Sequence, residues 1–121
     1  SMLYSQRGTP ADIDVRGKIL FIEDLDEYLY HIDRMMMNLH RAGWLDGIAG
    51  LIVGGLTDMN DNTVPFGKQA IEIVREHVSG RAFPVAYGFP AGHVEDNRPL
   101  ILGAEVELNV TSGGSFVTYT A

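Results

Sequence analysis

Cysteine is missing from the 121 residues, which excludes a disulfide framework, a thiolate metal site and a cysteine nucleophile. Basic residues are few: nine Lys and Arg stand against sixteen Asp and Glu, a net charge of −7. That balance opposes nucleic acid as a partner, because neutralising phosphates takes clustered Lys and Arg. Long apolar runs are absent too. The longest, Gly47 to Leu56, holds four glycines and falls well short of the roughly 20 residues a membrane span requires. The opening residues carry no signal-peptide pattern. What remains is an acidic chain of single-domain size, expected to be soluble and to need no metal or disulfide staple, since it can bury close to two thirds of its unfolded surface.

Ser1 stands before Met2, where an initiator methionine would come first. The pair reads as a scar left by removal of an expression tag. Residues 2–10 (MLYSQRGTP) carry no start signal of their own and read as the end of an element begun upstream. The expected division is residues 1–10 as scar and inter-domain segment, and residues 11–121 as the domain itself.

Lys18 to Ile22 (KILFI) is a short apolar run and predicts a buried strand. Asp24 with Glu27 three residues on is spaced to cap a helix reciprocally. Leu29, Ile32, Met36, Leu39 and Ala42 then recur at helical spacing, and Gly43 supplies a stop. Gly50 to Gly54 (GLIVG) predicts a second buried strand, so the three elements form a βαβ unit with parallel strands. A polar loop over Leu56 to Phe66 and a helix from about Gly67 to Val78 follow, then a third strand at Pro84 to Tyr87. In the tail the period changes to two: Ala104, Val106, Leu108 and Val110 alternate with polar residues, and a turn at Thr111 to Gly114 returns Phe116 to Thr120 as a hairpin partner. The fold class is therefore α/β, with a parallel sheet and an antiparallel hairpin portion sharing one core.

Two residues stand just past the carboxyl ends of strands, where catalytic groups collect in open α/β sheets. Glu23 closes KILFIE and His93 closes the glycine- and proline-rich segment GFPAGH. A carboxylate bonded to one imidazole nitrogen fixes the tautomer and leaves the other nitrogen free to accept a proton. That is the orienting half of a nucleophile–base–acid triad. Residue types alone leave a plainer alternative open, with Glu23 paired to an arginine or capping a helix and His93 bonded to backbone. His31, His40 and His77 read as surface residues on helices. Asp58, Asn60 and Asn62 mimic the first calcium-loop ligands, but Thr63 and Gln69 replace the glycine and glutamate that such a loop needs, so the segment reads as a solvated turn. Met36 belongs in the core, and the run Met35 to Met37 cannot all face one way. None of the serines (Ser1, Ser5, Ser79, Ser112, Ser115) sits on a strand-to-helix turn of the kind that exposes a nucleophile.

The run GKILFIEDLDEYLYHIDRMMMNLHRAG, then GLIVGGLTDMND, and later PVAYGFPAGHVEDNRPLILG, resembles the C-terminal domain of the LD-carboxypeptidase family of serine peptidases, the muramoyltetrapeptide carboxypeptidases. The resemblance covers roughly Leu3 to Tyr119. It implies a three-layer β/β/α swivelling-type domain and a separate N-terminal domain carrying the serine and oxyanion hole. It casts Glu23 as the triad acid and His93 as the general base. It also implies a cytoplasmic enzyme that needs no cofactor, removes the terminal D-alanine from muropeptide tetrapeptides, partners its own N-terminal domain and forms homodimers; this chain alone would be inactive. Asp24, Glu27 and Arg34 fall beside the motif and read as capping and ion-pair residues, with Asp96 and Asn97 at the cleft rim. Three other readings stand beside this one. A related family amidase would confer resistance to peptide–nucleotide antibiotics, a swivelling phosphohistidine carrier would use His93, and a plain interaction domain would use neither residue.

Overall fold

The computed structural model describes residues 1–120. Its central sheet is parallel and runs in the order β1 (Ile19–Leu25), β2 (Gly50–Thr57), β3 (Val85–Ala86). Before and between these strands lie α1 (Met2–Ser5), α2 (Leu29–Arg41), α3 (Trp44–Gly47) and α4 (Ala70–Val78). The chain ends in an antiparallel hairpin of β4 (Val106–Thr111) and β5 (Gly114–Tyr119).

Side chains of β2 alternate between two faces, as strand geometry requires. Leu51 and Val53 point to the helical side and join Leu20, Met36, Leu39, Trp44, Val74 and Val78 in the main core. A second cluster of Leu29, Ile32, Met35, Ala70 and Ile73 fills the contact between α2 and α4. Full burial of such side chains contributes about 1.5–3 kcal/mol each in transfer free energy. Gly50, Ile52 and Gly54 occupy the opposite face of the strand. There the hairpin closes in, with Leu108 Cδ2 3.1 Å from where a Cβ on Gly50 would stand. The layers are hairpin, parallel sheet and helices, the β/β/α order that the resemblance implied.

The expected capping box does not form. β1 runs three residues past Ile22, so Asp24 is still in the strand when it would have to cap. Asp26 then turns the chain through a left-handed φ of 56°, and α2 starts from Tyr28 in extended conformation with no side-chain cap. The Leu29 N–H instead donates to the Asn60 carbonyl at 2.9 Å. The loop after β2 thus supplies the helix start that local residues were expected to supply. Among the three methionines, Met35 and Met36 are buried and Met37 is half-buried.

Residues 7–13 close on themselves through Asp12. Its carboxylate accepts from the Gly8 N–H at 3.0 Å and from Arg7 Nη1 at 2.8 and 2.9 Å. The Gly8 N–H first, and the Arg7 guanidinium after it, hold this carboxyl below its ordinary value. A depressed folded-state value means the contact stabilises the loop above the ordinary carboxylate range and is lost as pH falls through the lowered value. Amide exchange at Gly8, followed by NMR on acidification, is therefore expected to quicken, and Asp12→Asn is expected to abolish that pH dependence.

Candidate active site

The position of Glu23 follows from an irregularity in the sheet. Ile22 pairs with Val53 and Asp24 with Leu56, so Glu23 alone faces both Gly54 and Gly55. A bulge of this kind kinks the strand that carries the extra residue and re-aims the side chains beside it. Glu23 projects on the face of Phe21, away from the helices, by the alternation of the strand.

His93 arrives beside it because residues 89–91 run along β2 beyond β3. The Phe89 N–H donates to the Val53 carbonyl and the Gly55 N–H to the Ala91 carbonyl, both at 3.0 Å. Such close approach demands glycine. A Cβ on Gly54 would lie 2.5 Å from the Ala91 carbonyl oxygen, and one on Gly55 would lie 2.6 Å from Val94 Cγ1. At Gly92, with φ of 108°, a Cβ would meet Glu23 Oε2 at 2.7 Å. Gly54 and Gly55 were missed as site determinants by sequence reasoning. Their signal was a Gly–Gly pair inside a buried apolar strand, which marks a bulge or a close backbone approach.

His93 Nδ1 lies 2.9 Å from Glu23 Oε2, and the His93 backbone N–H reaches the same oxygen at 3.4 Å. Because an ionised carboxylate only accepts, Nδ1 carries the ring proton and Nε2 presents its lone pair. The two sequence-predicted residues are therefore brought together. Among the described residues two further carboxylate–imidazole pairs exist, Glu27 with His31 at 2.8 Å and Asp33 with His77 at 2.9 Å, so pairing alone does not mark a site. The pairs differ in exposure: the His93 side chain is 58% accessible, against 27% for His31 and 8% for His77. His77 is thus not the surface residue expected from its place near the helix end. It faces α2, where Asp33 receives it.

Around the pair, the loop is stitched by short bonds. Asn97 Oδ1 accepts from the Gly92 N–H at 3.0 Å, and the Arg98 N–H donates to the Pro90 carbonyl at 2.7 Å. A cavity of about 450 Å³ opens next to Glu23 and His93, with Ile32, Met35 and Leu56 among its apolar walls. Asp24 borders it as well, its carboxylate 2.5 Å from the α-amino group of Ser1. Arg34 makes no ion pair with the loop; its guanidinium lies 5.3 Å from the centre of the Tyr30 ring. Asp61 turns back on its own loop and accepts the N–H groups of Asn62 and Phe66. Among the described residues no three His, Cys, Asp or Glu side chains converge as metal ligands, and no helix is long and apolar enough to cross a membrane.

The structure is thus a mixed α/β domain that presents an accessible imidazole, bonded to a carboxylate, at the carboxyl edge of its parallel sheet. The chain belongs to the LD-carboxypeptidase family, whose C-terminal domain model matches residues 1–108. It is 36% identical over 113 residues to the "probable murein peptide carboxypeptidase" of Bacillus subtilis (strain 168), covering 90% of this chain and 34% of that protein. The crystal structure of muramoyltetrapeptide carboxypeptidase from Oxalobacter formigenes superposes with a TM-score of 0.86 at 28% identity, covering 99% of this chain and 42% of that one. The microcin C7 self immunity protein MccF, solved with aspartyl sulfamoyl adenosine, shares the fold at a TM-score of 0.62 and 24% identity, over 73% of this chain and 26% of its own. The chain spans about a third of the length of the curated relatives it matches.

Proposed function

We propose that this chain is the acid- and base-bearing domain of a serine LD-carboxypeptidase that removes the terminal D-alanine from muropeptide tetrapeptides in the cytoplasm, during cell-wall recycling. The observation that carries the reading is the 2.9 Å contact between His93 Nδ1 and Glu23 Oε2 across seventy residues of sequence. The nucleophilic serine and the oxyanion hole would come from the partner N-terminal domain. His93 Nε2 takes the serine proton as the hydroxyl oxygen attacks the carbonyl of the scissile amide. It returns that proton to the departing D-alanine nitrogen as the C–N bond breaks, and repeats the cycle with water to release the acyl group. Glu23 holds the ring in the productive tautomer and offsets the positive charge each time the imidazolium forms.

The test is a comparison of this chain alone with the same chain joined to a serine-bearing domain of its family. D-alanine release from a muropeptide tetrapeptide is expected from the joined protein and not from the chain alone. A folded joined protein that leaves the tetrapeptide intact overturns the proposal, and turnover of a peptide–nucleotide amide instead moves the assignment to antibiotic detoxification. The phosphohistidine-carrier reading has the geometry against it, since the Glu23 carboxylate in contact with the ring would repel a phosphoryl group there.

A further inference from the structure

Glu23 and His93 sit on different segments, and their side-chain bond needs the two backbones held at a fixed separation. The segment bearing His93 is braced within itself at Pro90 and Gly92, short of His93. It contains two glycines at positive φ, Gly88 and Gly92, and the His93 side chain is more than half exposed. Val53 and Gly55 of β2 meet both sides through backbone, and Thr57 does so with its side chain on His93 itself. Thr57, the last residue of β2, accepts at its carbonyl from the Asp26 N–H at 3.0 Å, just past the strand that carries Glu23. Its hydroxyl Oγ1 donates to the His93 carbonyl at 3.0 Å.

We infer that Thr57 is the positioning residue of the pair, locking the loop that presents His93 to the strand that presents Glu23. The inference rests on the proposed role of that pair. Holding the His93 carbonyl fixes the peptide plane that follows the residue, and with the His93 N–H held at Glu23 Oε2 it narrows the directions in which the Cα–Cβ bond can leave the loop. Threonine suits the task because its branched Cβ restricts χ1, so the hydroxyl direction is set by the strand. The backbone on either side is unusual for non-glycine residues. Asp26 and Asp58 have φ of 56° and 52°, and Asn60 Nδ2 donates to Asp26 Oδ1 at 2.7 Å. Such outliers persist where surrounding contacts over-determine them, and they gather at functional sites. Here they turn both strands aside immediately after Leu25 and Thr57.

The experiment follows the Nδ1-bound proton of His93 by NMR in this chain. Thr57→Val keeps the size of the side chain and removes the hydroxyl; Thr57→Ser keeps the hydroxyl. Thr57→Val is expected to preserve the amide spectrum of the fold but to speed exchange of that proton with water about 10-fold, and in the joined enzyme to lower kcat about 10-fold at little change in KM, less than the loss from displacing a catalytic group by a full ångström. Thr57→Ser is expected to restore both. Should the valine variant lose its folded spectrum, Thr57→Ala carries the same expectation without the added methyl. Wild-type exchange and kcat in a folded Thr57→Val or Thr57→Ala overturn the inference while leaving the pair's role intact. If Glu23→Gln also leaves the proton unchanged, the reading of the pair fails first, and the inference falls with it.

Discussion

His93→Ala, introduced into the protein that carries both domains, is expected to lower kcat/KM by about 10³–10⁴-fold, the loss that follows removal of a triad base. Without the imidazole no group takes the serine proton, and the alkoxide would have to form at its own unfavourable cost. Glu23→Gln should fall in the same range although it keeps the shape of the side chain. A glutamine can turn its amide nitrogen toward Nδ1, which selects the tautomer with Nε2 protonated and removes the acceptor that the serine needs. The double variant is expected to be no worse than either single one, because the two residues act as a unit. KM should move little, since neither side chain is placed to supply uniform binding. Neither change should unfold the domain: the His93 side chain is 58% exposed, and Glu23→Gln keeps the size of the side chain and an oxygen that can accept from the His93 N–H. Steady-state kinetics with a D-alanine readout, beside thermal melts, checks both halves. Wild-type turnover in the two single variants would remove the catalytic assignment and leave a structural ion pair.

How far the site was legible in the sequence follows from what holds each part. Glu23 and His93 were visible because a polar residue closing an apolar strand, and another closing a glycine-rich segment, are local features. The alternation of Val106, Leu108 and Val110 marked the hairpin for the same reason, and Leu29, Ile32, Met36 and Leu39 marked the long helix. What failed was set by distant partners. β1 continues through Asp24 and Leu25 because they pair with Leu56 and Thr57 of β2, so the nearby Asp–Glu spacing never becomes a cap. The start of α2 depends on the Asn60 carbonyl, contributed from beyond β2. The His77 side chain is largely covered because α4 lies on α2 and meets Asp33, a helix-packing fact that no spacing within α4 records. Gly54 and Gly55 lay between these cases. Their presence was plain, but their reason is the loop that comes to rest on them some forty residues later.

That reason makes Gly54→Ala the substitution with the largest expected structural effect. Its backbone is not in the left-handed region, so any penalty is steric. The new methyl would stand 2.5 Å from the Ala91 carbonyl oxygen and 2.7 Å from Phe21 Cε2. Phe21 could give way by turning its ring, but Ala91 is backbone and is held by the Gly55 N–H at 3.0 Å. Relief therefore requires the loop to lift off β2, breaking that bond and carrying His93 away from Glu23. We expect a loss of about 2–3 kcal/mol, at the upper end for overpacking, read as a fall in Tm of roughly 10 °C for a domain of this size. The joined enzyme should lose about 10²-fold in kcat, as expected when a catalytic group is displaced by an ångström. Gly80→Ala is the control, because its φ of 78° imposes strain while nothing lies within 4 Å of the added Cβ. It should cost roughly 1–2 kcal/mol from the left-handed backbone alone and leave kcat unchanged. A Gly54→Ala protein as active as that control would mean that loop contact with β2 does not hold the histidine in place.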